Sequence, residues 1–166
     1  LLGRGVRGEQ PFIAFRLESD AQLEATKAHV ASKRVPVLAS PTRVFAPGAF
    51  AVRDPDGRLV VFGLPDPSLP PAVAQAGNPA AALPGRLQAS RALAPMLRFY
   101  EDDLGFVVSD YVVDAAAGGE RTVGFFRSSP EHHSFAVFRC PEPRPDHLAF
   151  ETTCWNDIRD WADHMA

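Results

Sequence analysis

The sequence predicts an α+β fold built from a repeated strand-helix-strand-strand-strand module. Three observations predict it. Runs rich in Val and Phe alternate with single helical stretches, as where residues 12–17 precede a helix signalled from Ser19 to Val30. An Asp54-Pro55-Asp56-Gly57 turn joins two extended runs into a hairpin. The stretch from His147 also lies over the stretch from Phe12 at an offset of 135 residues, with Leu148-Ala149-Phe150 over Ile13-Ala14-Phe15, Ile158 over Leu23 and His164 over His29.

The first unit opens with a strand over residues 12–17. Ser19 or Asp20 offers an N-cap oxygen to a helix carrying Leu23, Thr26, Lys27 and Val30, which ends near Lys33-Arg34, before Pro36. Residues 49–53 and 58–63 are strands, joined by the turn in which Pro55 supplies a fixed φ and Gly57 a positive one. Beyond them Pro65, Pro67, Pro70, Pro71, Pro79 and Pro84 leave no amphipathic period, so residues 65–84 read as an extended linker between domains.

The second unit begins with a weak strand at Leu87. Leu93, Met96, Leu97 and Tyr100 fall at helical spacing, and Gly105 follows as the C-cap glycine. Residues 106–113, 121–127 and 133–139 are strands, with a turn over 115–120. The proline-broken run Cys140-Pro141-Glu142-Pro143-Arg144-Pro145 separates them from the third unit, which starts at His147. Residues 1–64 are thus part of one domain and residues 85–166 belong to another.

Composition narrows the partner. With 17 Lys and Arg against 20 Asp and Glu, interspersed, the net charge of -3 implies neither nucleic acid nor an anionic membrane surface. No apolar run approaches the roughly 20 residues that span a bilayer, and no signal-peptide core is visible, so the expected location is cytoplasmic, with Cys140 and Cys154 as reduced thiols. A small molecule is the expected ligand.

Three of the five histidines, His132, His133 and His147, lie close together in sequence at the edges of extended runs. A neutral imidazole is the commonest metal ligand and titrates near neutral pH, so the pattern suggests a metal ligand on one strand and an acid/base on the other. Where the third unit has His147 the first has Phe12. Packing has no use for that exchange, because an unpaired buried imidazole costs free energy that Phe does not. His132 is read as facing solvent or lining a gate, since neighbours on a strand point to opposite faces. His29 and His164 are read as surface groups, and Trp155 and Trp161 as packing on the sheet.

The chain resembles the vicinal oxygen chelate superfamily, with the glyoxalase, bleomycin-resistance and extradiol-dioxygenase fold, and within it the type I extradiol ring-cleavage dioxygenases. The residues that carry the resemblance are Arg98-Phe99-Tyr100 through Leu104-Gly105-Phe106, His132-His133-Ser134-Phe135, Asp146-His147-Leu148-Ala149-Phe150-Glu151 and the Asp54-Pro55-Asp56-Gly57 turn. It implies curved mixed sheets, with module two over residues 1–64 in a metal-free N-terminal domain. Module three and the start of module four then fill the C-terminal part. It also implies Fe(II), with Mn(II) as runner-up, held in part by His147, and His133 as the second-sphere acid/base. His132 is a weaker substrate-binding candidate. The implied reaction is ring cleavage of a small aromatic diol with O2 in a homo-oligomer, with no nucleic-acid or membrane partner. The same fold also serves metal-free, drug-sequestering proteins.

Two departures accompany the resemblance. The family's first His ligand lies fourteen residues before the Phe of Phe99-Tyr100, a position taken here by Gly85. Matching Leu87-Gln88 and Ala89-Ser90 to the family instead leaves a four-residue gap between them. The carboxylate ligand would lie beyond Ala166, and its equivalent in the first unit is Val61.

Overall fold

A computed structural model describes residues 10–69, 81–128, 130, 132–152 and 154–165. The first module runs β1 (Phe12–Arg16), α1 (Asp20–Ser32), β2 (Leu38–Ala39), β3 (Phe50–Arg53) and β4 (Leu59–Gly63). The second runs β5 (Ala81–Ser90), α2 (Leu93–Arg98), β6 (Val107–Asp114), β7 (Glu120–Arg127) and β8 (Phe135–Arg139). β9 (Arg144–Thr152) and α3 (Trp155–Met165) follow.

The repeat is visible in the strand order. The first sheet is β1-β4-β3-β2, with β1 parallel to β4, and the second is β6-β7-β8-β5-β9, with β5 parallel to β8. Read from its opening strand, each module therefore makes the same mixed sheet. The offset of 135 carries the start of α1 at Asp20 onto the start of α3 at Trp155.

Local chemistry explains the elements. Ser19 caps α1 by accepting from the Gln22 amide at 3.2 Å, while the Gln22 side chain accepts from the Glu18 amide at 2.8 Å, a reciprocal cap that satisfies two free donors. Leu23 and Val30 form its buried stripe. Pro95 sits in the first turn of α2, where a missing N–H leaves no bond unmade. The helix then widens into a π-helical turn at Phe99–Asp103, closed by Leu104 N–H to the Phe99 carbonyl at 2.9 Å and by Gly105 at φ 76°. The Asp54 turn forms as expected, with Gly57 at φ 88° donating to the Asp54 carbonyl at 2.9 Å.

Both modules contribute to one apolar core. Phe15 of β1 meets Phe106 at 4.9 Å and Phe135 at 6.1 Å between ring centroids, and Tyr100 packs on Phe135 at 4.4 Å. Edge-on and tilted contacts of this kind add to area burial because the ring quadrupoles are complementary. A polar contact joins the modules too. Arg58 reaches from the hairpin turn to Gln88 and to the Ala89 carbonyl of β5.

Several expectations change. β5 begins at Ala81, ahead of Leu87, so the last four residues of the stretch read as linker are strand; residues 70–80 of that stretch lie outside the described residues. Its pairing with β9 skips from Ala82 to Gly85, across Pro84, which has no N–H for a ladder. β8 starts at Phe135, leaving His132 and His133 in the preceding loop. Trp155 is 84% exposed and does not pack on the sheet, while Trp161 is half-buried. His164 is exposed as expected, but His29 is half-buried, and its Nε2 lies out of reach of water without a hydrogen-bond partner among the described residues.

Candidate functional site

Each histidine-bearing segment is tied down by a β-bulge. On β6, Val108 pairs with Phe126 and Asp110 with Phe125, so Ser109 is the extra residue. Its hydroxyl, freed from the regular ladder, donates to the carbonyl of His132. On β9, Leu87 of β5 pairs with His147 and Gln88 with Pro145, so Asp146 is the extra residue. Bulges re-aim side chains, and here the bulge lets neighbours meet that a regular strand would point apart. The Asp146 carboxylate lies 2.8 Å from His147 Nδ1.

His132 and His133 share one small cluster. Their Nδ1 atoms are 2.9 Å apart, with the rings nearly perpendicular at 86°. Phe125 packs against both, at 4.9 Å from His133 and 5.9 Å from His132. The separation of His132 from His133 expected from strand alternation therefore does not occur, because a loop imposes no such alternation. His132 is exposed and His133 half-buried. Burial, and after it the charge of His132, holds the His133 pKa below its ordinary 6.5, so at neutral pH His133 is a neutral ring with a lone pair to offer.

Phe125 was not among the residues singled out from the sequence. Strand alternation contains the signal, since Phe126 is fully buried in the core and its neighbour must therefore face the other way.

His147 is separate from that cluster. Ala136, Leu87 and His147 form one cross-strand row over β8, β5 and β9, and His133 precedes Ala136 by three residues. Two strand spacings put β8 and β9 roughly 10 Å apart at that row. The His147 side chain is 59% exposed.

The described residues do not by themselves make a two-His, one-carboxylate site for iron. They contain no group of three His, Cys, Asp or Glu side chains placed to hold a metal ion. Across from His147 the ladder places Leu87, a residue type with no donor atom. The next residue, Gln88, is buried, its carbonyl oxygen accepting from Arg58 and its amide donating to Gln10, each at 2.8 Å. Gln88 and Ala89 lie together in β5, where Arg58 holds the side chain of the first and the carbonyl of the second.

A cleft of about 810 Å³ opens between the β1–α1 connection and the Gly105–Val107 segment, lined by Arg16, Gln22, Phe62 and Arg127 among others. Neither His133 nor His147 lines it. No helix among the described residues is long and apolar enough to cross a membrane.

Comparison with known proteins gives the same fold. The chain is similar in structure to the 2,3-dioxygenase LapB from Pseudomonas sp. KL28, with a TM-score of 0.73 and 19% identity over 93% of this chain and 58% of that one. It is similar to BphC, a halotolerant catechol dioxygenase, with a TM-score of 0.73 and 18% identity over 93% of this chain and 55% of that one. It is also similar to the Mn(II)-bound glyoxalase from Novosphingobium aromaticivorans, with a TM-score of 0.66 and 24% identity over 93% of this chain and 50% of that one. The chain thus spans about half the length of these structures. No curated protein matches it in sequence. The family model of the Glyoxalase/Bleomycin resistance protein/Dioxygenase superfamily matches residues 3–62 and 87–166, and with the repeated module and its mixed sheets this establishes that the chain belongs to that superfamily.

Proposed function

We propose that the protein containing this chain is an extradiol ring-cleavage dioxygenase acting on a small aromatic diol with O2, and that His133 is its acid/base. The observation that carries this reading is the His132–His133 pair on Phe125, a neutral imidazole held beside an aromatic ring on a superfamily module. The dioxygenases among the structural neighbours support the same choice. A half-buried ring whose pKa is held down accepts a proton from an acidic phenol hydroxyl at neutral pH, and once protonated it can return that proton to a developing oxyanion. Phe125 offers the diol an aromatic surface.

In this reading His147 is the metal donor that the described residues contribute, with Fe(II) as the metal and Mn(II) as runner-up. Asp146 supports it, because a carboxylate on Nδ1 leaves Nε2 as the coordinating nitrogen. The remaining donors must come from residues beyond those described, and no step of the reaction is derived through the metal.

A second reading, a metal-free protein that sequesters a small molecule in the same fold, draws on the Leu87 opposite His147 and on the engaged Gln88. Metal analysis of the anaerobically purified full-length protein, coupled to an absorbance assay with simple catechols, separates the two. Near-stoichiometric iron and a coloured ring-opened product are expected. Absence of both would overturn the dioxygenase reading in favour of the second.

A further inference from the structure

Two imidazoles whose Nδ1 atoms lie 2.9 Å apart cannot, when both rings are uncharged, both present a lone pair there, nor both a hydrogen. One Nδ1 donates and the other accepts. The outer nitrogens are then opposite in kind, with a bare Nε2 on the donor ring and an Nε2–H on the acceptor ring. The tautomer of each ring is therefore set by the other.

We infer that His132 is a positioning residue, whose Nδ1 accepts the Nδ1–H of His133 and so fixes His133 as the tautomer with a bare, proton-accepting Nε2. This assignment rests on the acid/base role proposed for His133. Three features hold the pair in place. Ser109, the bulge residue of β6, fixes the His132 backbone through its carbonyl. The Ser134 amide donates to the Phe126 carbonyl at 3.0 Å, fixing the other end of the pair. Phe125 buttresses both rings from β7. His132 is the exposed member, so the N–H that its ring must carry at Nε2 keeps water as a partner.

The proton balance is simple. An O–H bond of the diol breaks, an N–H bond forms at His133 Nε2, and the positive charge of the new imidazolium is stabilised through its Nδ1–H bond to His132. Nothing is oxidised or reduced in this step. A base oriented through its second nitrogen is the arrangement that sets histidine tautomers generally.

The test uses the full-length protein with nitrogen-15 in its histidine rings, and two-bond proton–nitrogen spectra that report which nitrogen carries hydrogen. In the unaltered protein His133 is expected to show a protonated Nδ1 and a bare Nε2. His132→Phe should abolish that preference and lower kcat about tenfold with little change in KM. His132→Asn, whose side-chain oxygen can accept the same bond, should restore the tautomer and most of the rate. An Nε2–H on His133 in the unaltered protein, or an unchanged tautomer in His132→Phe, would overturn the assignment. The spectra need no turnover. The expected tautomer in a protein that makes no ring-opened product would therefore support the pair and sink only the dioxygenase reading.

Discussion

Arg58 and Gln88, thirty positions apart, meet across the two modules with the guanidinium donating to the amide oxygen at 2.8 Å. The same guanidinium pairs with Asp54 at 3.1 Å and Asp56 at 2.5 Å. One side chain thereby joins the hairpin turn of the first module to the opening strand of the second. Arg58→Met should lower stability by about 3 kcal/mol, because it leaves the buried Asp54 carboxylate without its cation. Thermal unfolding of the variant measures this, and a loss below 1 kcal/mol would show the contact to be incidental.

The same pair has a pH signature. Burial pushes the Asp54 carboxyl above its ordinary 3.8, with the bonds and charge of Arg58 opposing. A raised carboxyl means that the folded chain binds more protons than the unfolded chain just above pH 3.8. Stability from this group is thus present in acid and is lost as pH rises through the folded value. Removing Arg58 should steepen that loss, a trend that denaturant titrations from pH 4 to 7 would read.

Replacing His133 by Phe should reduce kcat by about 100-fold while leaving bound metal unchanged, since general acid–base groups typically contribute that much or more. Equal loss of both would make His133 structural or a ligand. With the folded pKa below 6.5, the base stays neutral down to a lower pH than a free imidazole, so the acid limb of kcat/KM should lie below that value. The folded chain also binds fewer protons than the unfolded one there. Acidification should therefore destabilise the parent more than His133→Phe.

His147→Ala should strip iron from the full-length protein, measured by metal analysis after anaerobic purification. Full iron retention would remove His147 from the metal site and with it the functional use of the Asp146 contact.

Gly105 ends the π-helical turn at φ 76°, and a Cβ there would lie 3.5 Å from His29 Nε2, which is ordinary contact. The cost of Gly105→Ala should therefore be the left-handed backbone alone, about 1 kcal/mol in equilibrium unfolding. A loss of several kcal/mol would mean that the neighbouring packing shifts as well.

Much of the fold was legible because it depends on patterns a sequence displays. The Asp54-to-Gly57 turn, the capped α1 and the repeat that carries Asp20 onto Trp155 all express local chemistry or self-similarity. The site was legible only as residue types. His133 and His147 stand out by composition, but the His132–His133 contact depends on a strand beginning two residues later than its Phe-rich run suggests. The bulges at Ser109 and Asp146 are matters of pairing between distant strands, for which neither run carries a local signal. Pro84 and its neighbours read as linker because proline disfavours a ladder, yet β5 accommodates it by skipping two positions.

β5 stands between β8 and β9, and in sequence its partners on both sides are distant, with Leu87 and Ala136 roughly 50 residues apart. The β3–β4 and β6–β7 hairpins close short loops and can form in microseconds, whereas β5 has to wait for strands made long after it. The β8-β5-β9 side of the second sheet is therefore the last part of the ladder to be assembled. Until then β8 and β9 each expose an unpaired edge, and a chain slowed at this step would present them to other chains. Changes in β5 should thus register first as lost yield and aggregation during refolding, before they register in any property of the finished fold.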